Sequence, residues 1–214
     1  MKPAYWDDAK RALAKDDRVL RRIIRAHGDV HLKRRSDPFT ALSRAIVGQQ
    51  ISVKAADTIW KRLVDAVAPG NARRAFPRLE PQALLDLDDP VLRGAGLSQS
   101  KTAYLRDLAQ HFVSGTLSPR TWRRLPDEDL IVLLTDVKGI GRWTAEMFLI
   151  FHELRPDVLP VDDIGLKRAM ALHYNDGERM EPGAMRSLGE GWQPYRSVAT
   201  WYLWRSLDPV PVEY

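Results

Sequence analysis

Two glycines one residue apart, Gly139-Ile140-Gly141, stand between two segments with apolar faces, and they constrain this chain more than any other feature. Glycine adopts the positive φ of a tight reversal at little steric cost. Before the pair, residues 127–134 have the spacing of a short amphipathic helix; after it, residues 142–151 begin a second, mostly apolar one. The stretch Leu134-Thr-Asp-Val-Lys-Gly-Ile-Gly-Arg-Trp-Thr-Ala145 is therefore predicted as helix, turn, helix, over about residues 129–150. The first amides of a helix have no partner inside it, and together with the helix dipole they attract an anion, for which phosphate is the natural guest. Lys138 and Arg142 flank that spot, and Lys138, Gly139, Gly141, Arg142 and Thr144 are the candidate contacts to a phosphate-bearing partner. The carbonyls of Val137 and Ile140 offer a place for a monovalent cation; no other metal and no cofactor is expected.

A second stretch lies downstream, Leu159-Pro-Val-Asp-Asp-Ile-Gly-Leu-Lys-Arg168. It places a proline and two carboxylates ahead of an amphipathic segment, the pattern of a helix start with acid at its N-terminus. By itself either aspartate reads as a simple cap. Hairpin, Pro160 and aspartate at this separation together resemble the helix-hairpin-helix DNA glycosylases. The similarity runs over about residues 37–207.

The rest of the chain agrees with a helical protein. Strand-like alternation is nearly absent, so the fold class is all-α. Residues 5–27 form one helix or a pair with a cap at Asp16-Asp17, ended by Gly28. Residues 39–66 are helical with a break at Gly48-Gln-Gln, and Gly70, Asn71 and Pro77 punctuate the next segment. Ser98 caps a helix over 99–112, with Lys101 in its first turn, where a cation opposes the helix dipole; either it has a separate use or it is simply a solvated lysine. Residues 116–126 read as a linker containing Trp122, residues 175–190 as a loop with a short helix, and 193–206 as an aromatic-rich last helix. Phe39, Trp60, Met147 and Tyr195 read as core rather than ligand.

Composition narrows the chemistry. The 214 residues carry 33 Lys+Arg against 28 Asp+Glu, a formal net charge of +5, which suits an anionic partner without proving one. The absence of cysteine excludes disulfides, thiolate zinc sites, a Cys nucleophile and a Cys-ligated iron–sulfur cluster. No apolar run is long enough to span a membrane, and Met1-Lys-Pro-Ala-Tyr-Trp is no signal peptide. A cytoplasmic, nucleoid-associated monomer is expected.

The resemblance implies more. It implies one glycosylase domain over 1–214, in a two-lobed helical fold with the active-site cleft between the lobes and a catalytic loop at 159–165. In such a protein Gln50, beside Gln49, would fill the gap left by a flipped nucleotide; the alternative is a polar helix junction with satisfied amides. Gly96, Ser98 and Lys101 resemble an element that presents backbone amides and a lysine to the duplex. The run Trp192-Gln-Pro-Tyr-Arg-Ser resembles a matching family element, whose final tryptophan, Trp204 here, lines the base pocket. Spacing to Arg168 selects Asp163 as the catalytic carboxylate, with Asp162 as helix cap or support. Position 143, a Schiff-base lysine in the bifunctional members, is Trp143. That implies a monofunctional enzyme of the 3-methyladenine DNA glycosylase II branch, in its short form without an N-terminal β domain. A cationic alkylated purine over an indole face fits that branch. The partner would be damaged double-stranded DNA. A glycosylase for another lesion, or a non-catalytic helix-hairpin-helix DNA-binding module, would share much of this pattern.

Overall fold

The structure, a computed structural model, describes residues 2–34, 36–69 and 78–207, so Gly70, Asn71 and Pro77 lie outside the described residues. Among the described residues there is no strand, and no helix is long and apolar enough to cross a membrane. The chain divides into two compact units, Met1–Arg34 with Leu149–Tyr214, and Arg35–Phe148.

The first unit takes both ends of the chain. Helices α1 (Trp6–Asp16) and α2 (Arg18–His27) pack on each other and on α13 (Arg196–Leu207), which also packs on α11 (Ile164–Tyr174). A further helix, α12 (Pro182–Glu190), lies between α11 and α13 in sequence. Asp17 makes the α1–α2 break a fixed joint. Its Oδ1 accepts from the Leu20 N–H at 2.9 Å, capping α2, while its Oδ2 accepts from the Tyr174 hydroxyl at 2.8 Å and the Trp192 indole N–H at 3.0 Å. Trp6, Trp192 and Tyr202 are fully buried, and the Trp6 indole N–H and the Tyr202 hydroxyl donate to the carbonyls of Val30 and Gly28. These three rings can be buried because the polar end of each finds an acceptor, backbone carbonyls for Trp6 and Tyr202 and the Asp17 carboxylate for Trp192.

The second unit holds α3 (Pro38–Gly48), α4 (Val53–Val67), α5 (Pro81–Leu85), α6 (Asp89–Gly94), α7 (Gln99–Val113), α8 (Pro119–Trp122), α9 (Asp127–Thr135) and α10 (Arg142–Phe148). Capping side chains set the starts: Asp37 accepts from Thr40 N–H, Ser52 from Ala55 N–H and Ser98 from Lys101 N–H. A chain of edge-to-face rings, Phe39–Phe112–Trp122–Phe148, runs through the core with centroids 5.3, 6.0 and 5.7 Å apart.

Three boundaries differ from the sequence reading. The expected linker 116–126 contains α8, because Pro119 pre-sets a helical φ and Trp122 has a core to enter. The helix predicted over 142–151 is α-helical only to Phe148; Leu149–Glu153 widens into a π-helical turn. The last helix starts at Arg196 rather than at residue 193.

Replacing Asp17 by Ala removes a cap and strands one buried and one half-buried donor, so a loss of about 2–4 kcal/mol is expected in urea unfolding. A change below about 0.5 kcal/mol would contradict the structural role given to this carboxylate.

Candidate nucleic-acid interface and carboxylate site

The hairpin lies in the second unit. Gly139 has φ +83°, and a Cβ there would come within 2.2 Å of the Tyr104 ring, so both backbone conformation and space demand glycine. Gly141 adopts no positive φ, and its carbonyl accepts the first α10 bond, from Ala145 N–H at 3.0 Å. The turn itself is closed by the Ile140 N–H donating to the Val137 carbonyl at 3.0 Å.

Helix α7 backs this turn. Tyr104 packs against Gly139, and the Asp107 carboxylate accepts the Lys138 backbone N–H at 2.9 Å. The Lys138 ammonium is exposed and 3.9 Å from the other Asp107 oxygen. Arg142 departs from the expectation of a phosphate contact: its guanidinium is paired with Glu128 and, at 3.1 Å, with Glu146. Thr144 departs from it too, being only 7% exposed, because its position in α10 turns inward. Trp143, next to it, is 37% exposed.

The glutamine loop between α3 and α4 reaches the same turn. Gln49 Nε2 donates to the Gly139 carbonyl at 2.8 Å. Gln50 is exposed and has φ +57°, an unusual conformation for a residue with a side chain. Lys101, expected to face a duplex, instead donates its amine to the carbonyls of Val47 at 2.7 Å and Gln49 at 2.8 Å. Burial lowers its pKa. Ser98 caps α7 as expected, and Gly96 has φ +105° with Ile59 lying 3.1 Å from where a Cβ would be.

The carboxylate site lies in the first unit. Asp163, 9% exposed, is the N-cap of α11. Its Oδ1 accepts two hydrogen bonds, each 2.7 Å: from the Leu166 N–H and from the Trp204 indole N–H. Trp204 stacks on Phe151, with centroids 5.6 Å apart and planes within 8°, and Phe151 comes from the π-helical turn. Gly165 makes room: a Cβ would sit 3.0 Å from Trp204 and 3.1 Å from Asp163 Oδ1. Asp162 is not the cap; it is exposed and pairs with Lys167 at 3.6 Å. The segment entering the loop is gripped from α13. Arg196 bonds both Asp157 oxygens, at 2.8 and 2.9 Å, and Ser197 Oγ accepts the Val158 N–H at 2.9 Å.

Sequence reasoning named Trp204 but not its bond to Asp163, and missed Phe151, Gly165, Tyr104 and Asp107. The Arg-Ser pair of the Trp-x-Pro-x-Arg-Ser run was the available signal for the grip on residues 157–158.

A model of the HhH-GPD superfamily base excision DNA repair protein matches residues 43–194. A Schizosaccharomyces pombe protein named DNA-3-methyladenine glycosylase 1 is 32% identical over 194 residues, covering 89% of this chain and 82% of that protein. Among solved structures, a Bacillus halodurans DNA-3-methyladenine glycosidase superposes with a TM-score of 0.83 at 36% identity, covering 93% of this chain and 88% of that one. The S. pombe 3-methyladenine DNA glycosylase in complex with abasic DNA gives 0.77 at 30% identity, covering 93% and 96%.

His111 supplies a pH-dependent strut behind the hairpin. Burial disfavours its charge, but the Asp107 carbonyl at 2.8 Å and the Asp136 carboxylate at 3.3 Å outweigh this and raise its pKa. A raised folded-state pKa stabilises the protein below the unfolded value and is lost as pH rises through the folded one. The destabilisation caused by His111→Gln should therefore be larger at about pH 5.5 than at about pH 8.5. Equal unfolding differences at both would contradict this.

Proposed function

The chain belongs to the HhH-GPD superfamily of base excision DNA repair proteins, and from that premise we propose that it is a monofunctional DNA glycosylase of the 3-methyladenine type. It excises alkylated purines from duplex DNA and leaves an abasic site. The observation that carries the reading is the Asp163 carboxylate, fixed at a helix start and by the Trp204 indole N–H.

A glycosidic bond inside a stacked duplex is out of reach, so the nucleotide is flipped. As the bond breaks, the sugar becomes an oxocarbenium ion, and a pre-positioned anion lowers that barrier without reorganising at the moment of reaction. Asp163 is that anion. It also orients, or takes a proton from, the water that attacks the anomeric carbon. Trp143 offers an indole face to a base that alkylation has made cationic. It carries no amine, so no Schiff base with the sugar forms, and strand scission is not part of the reaction.

Gln50 fills the gap in the stack, and its amide hydrogen-bonds the orphaned base. The hairpin amides and Lys138 meet a phosphate. A monovalent cation, where present, would rest on the Val137 and Ile140 carbonyls and add positive charge there. Arg142, neutralised by Glu128 and Glu146, shapes the turn rather than supplying charge. One catalytic aspartate per chain supports a monomer, acting on chromosomal DNA in the cytoplasm.

The test is base release from methylated duplex DNA, with and without alkali. Wild type frees methylated purines, and strands break only after alkali. Asp163→Asn is expected to slow release by about 100-fold or more with duplex binding retained. Breakage without alkali would point to a lyase. Equal release by the mutant would remove Asp163 from catalysis, and no release by wild type with binding intact would leave a binding module or another lesion class.

A further inference from the structure

Lys101 and Gln49 converge on the backbone around Gln50. Helix α3 ends at Gly48, so the Val47 carbonyl belongs to its last turn and has no onward helical donor. The Lys101 ammonium donates to that carbonyl at 2.7 Å and to the Gln49 carbonyl, which forms the peptide bond to Gln50, at 2.8 Å. The cation that opposes the dipole at the start of its own helix thus favours the dipole at the end of another. On the other side, Gln49 Nε2 donates to the Gly139 carbonyl at 2.8 Å. Between these anchors Gln50 keeps φ +57° while exposed. A left-handed residue with a side chain persists only where its surroundings over-determine it. Among the described residues no hydrogen bond of the Gln50 side chain does so; the bonds to the flanking backbone hold the loop on either side of it. Tyr104 and Asp107, on the same helix as Lys101, hold Gly139 and the Lys138 N–H.

We propose that Lys101 and Gln49 are positioning residues that hold Gln50 in its left-handed conformation and tie its loop to the hairpin, so that gap filling and phosphate gripping share one register. This rests on the reading of Gln50 as the residue that enters the gap. It also gives Lys101 a task other than a phosphate contact. The two roles differ in a measurable way. A lysine on a phosphate contributes about one to the slope of log K against log salt, whereas a lysine on backbone carbonyls contributes none.

The experiment compares wild type, Lys101→Met, Gln49→Leu and the double variant. Three quantities are read: methylpurine release from methylated duplex, the salt slope of duplex binding, and the fluorescence of a 2-aminopurine beside a tetrahydrofuran abasic site at saturating protein. Both single variants should release base about 10- to 100-fold more slowly, since displacing a positioned group by a short distance costs that much. Both should keep the wild-type salt slope and lose the wild-type change in 2-aminopurine fluorescence. The double variant should be little worse than Lys101→Met, as expected of residues acting as one unit. A slope lowered by about one in Lys101→Met would overturn the proposal in favour of a phosphate ligand. Unchanged release and fluorescence in Gln49→Leu would overturn it as well, and this variant decides the matter if Lys101→Met does not fold. Should wild type release no base, that failure belongs to the glycosylase reading. The abasic duplex still judges the positioning: a fluorescence change present in wild type and lost in both variants supports it, and an equal response in all overturns it.

Discussion

One carboxylate oxygen, Asp163 Oδ1, ties together the elements of the first unit on which the proposed function rests. It receives the Leu166 N–H that starts α11 and the Trp204 indole N–H from α13. Each donor is itself fixed. The amide belongs to a helix whose first turn presents N–H groups to an acceptor by construction. The indole is stacked on Phe151 and lies 3.0 Å from where a Cβ at position 165 would be, closer than such a contact normally comes. The chain entering the loop is held at Asp157 and Val158 by Arg196 and Ser197, about two helical turns before Trp204 in the same helix. Helix α13 therefore supports both ends of the loop. The role proposed for Asp163 needs such support, because a carboxylate that must first be reoriented gives up much of its electrostatic advantage.

The second unit is organised differently, around the half-buried side of one helix. Along α7, Lys101, Tyr104, Asp107 and His111 stand at helical spacing on one side, and each engages a different part of the two loops. Lys101 takes the glutamine loop, Tyr104 and Asp107 the hairpin, and His111 the carboxylate of Asp136 at the end of α9. Gln49 closes the circuit by bonding the hairpin directly. Two loops that sequence places 90 residues apart are in this way built as one surface. Such preorganisation matters to a protein that must open a base stack, since ordering loops at that moment would add to an already unfavourable step.

Much of this was legible in the sequence, for identifiable reasons. The hairpin announced itself because φ +83° at residue 139 demands glycine, and a turn of that kind leaves the same trace in any helical chain. The helix start at Gln99 followed from the Ser98 cap one residue before it. What escaped depends on partners distant in sequence. Lys101 reads as a lone cation until α3 is seen to end beside it. Arg142 reads as a phosphate ligand, although Glu146 four residues on was a visible partner and Glu128 was not. Thr144 was misplaced because the phase of α10 is set by the turn before it, and the turn contributes one left-handed residue where two glycines suggested more. The π-helical turn carries no residue that marks it, and with it went Phe151, whose stacking on Trp204 depends on the wider helical phase.

The central claim is that a fixed carboxylate at position 163 meets a cationic sugar. The most direct measurement is the affinity for two abasic-site duplexes identical except for charge, one with a pyrrolidine ring cationic at neutral pH and one with tetrahydrofuran. A transition-state-like cation should be held more tightly than its neutral isostere. Wild type is expected to favour the pyrrolidine duplex by about tenfold or more, and Asp163→Asn to bind both alike. Equal affinities in the wild type, or a preference that survives in Asp163→Asn, would contradict the account.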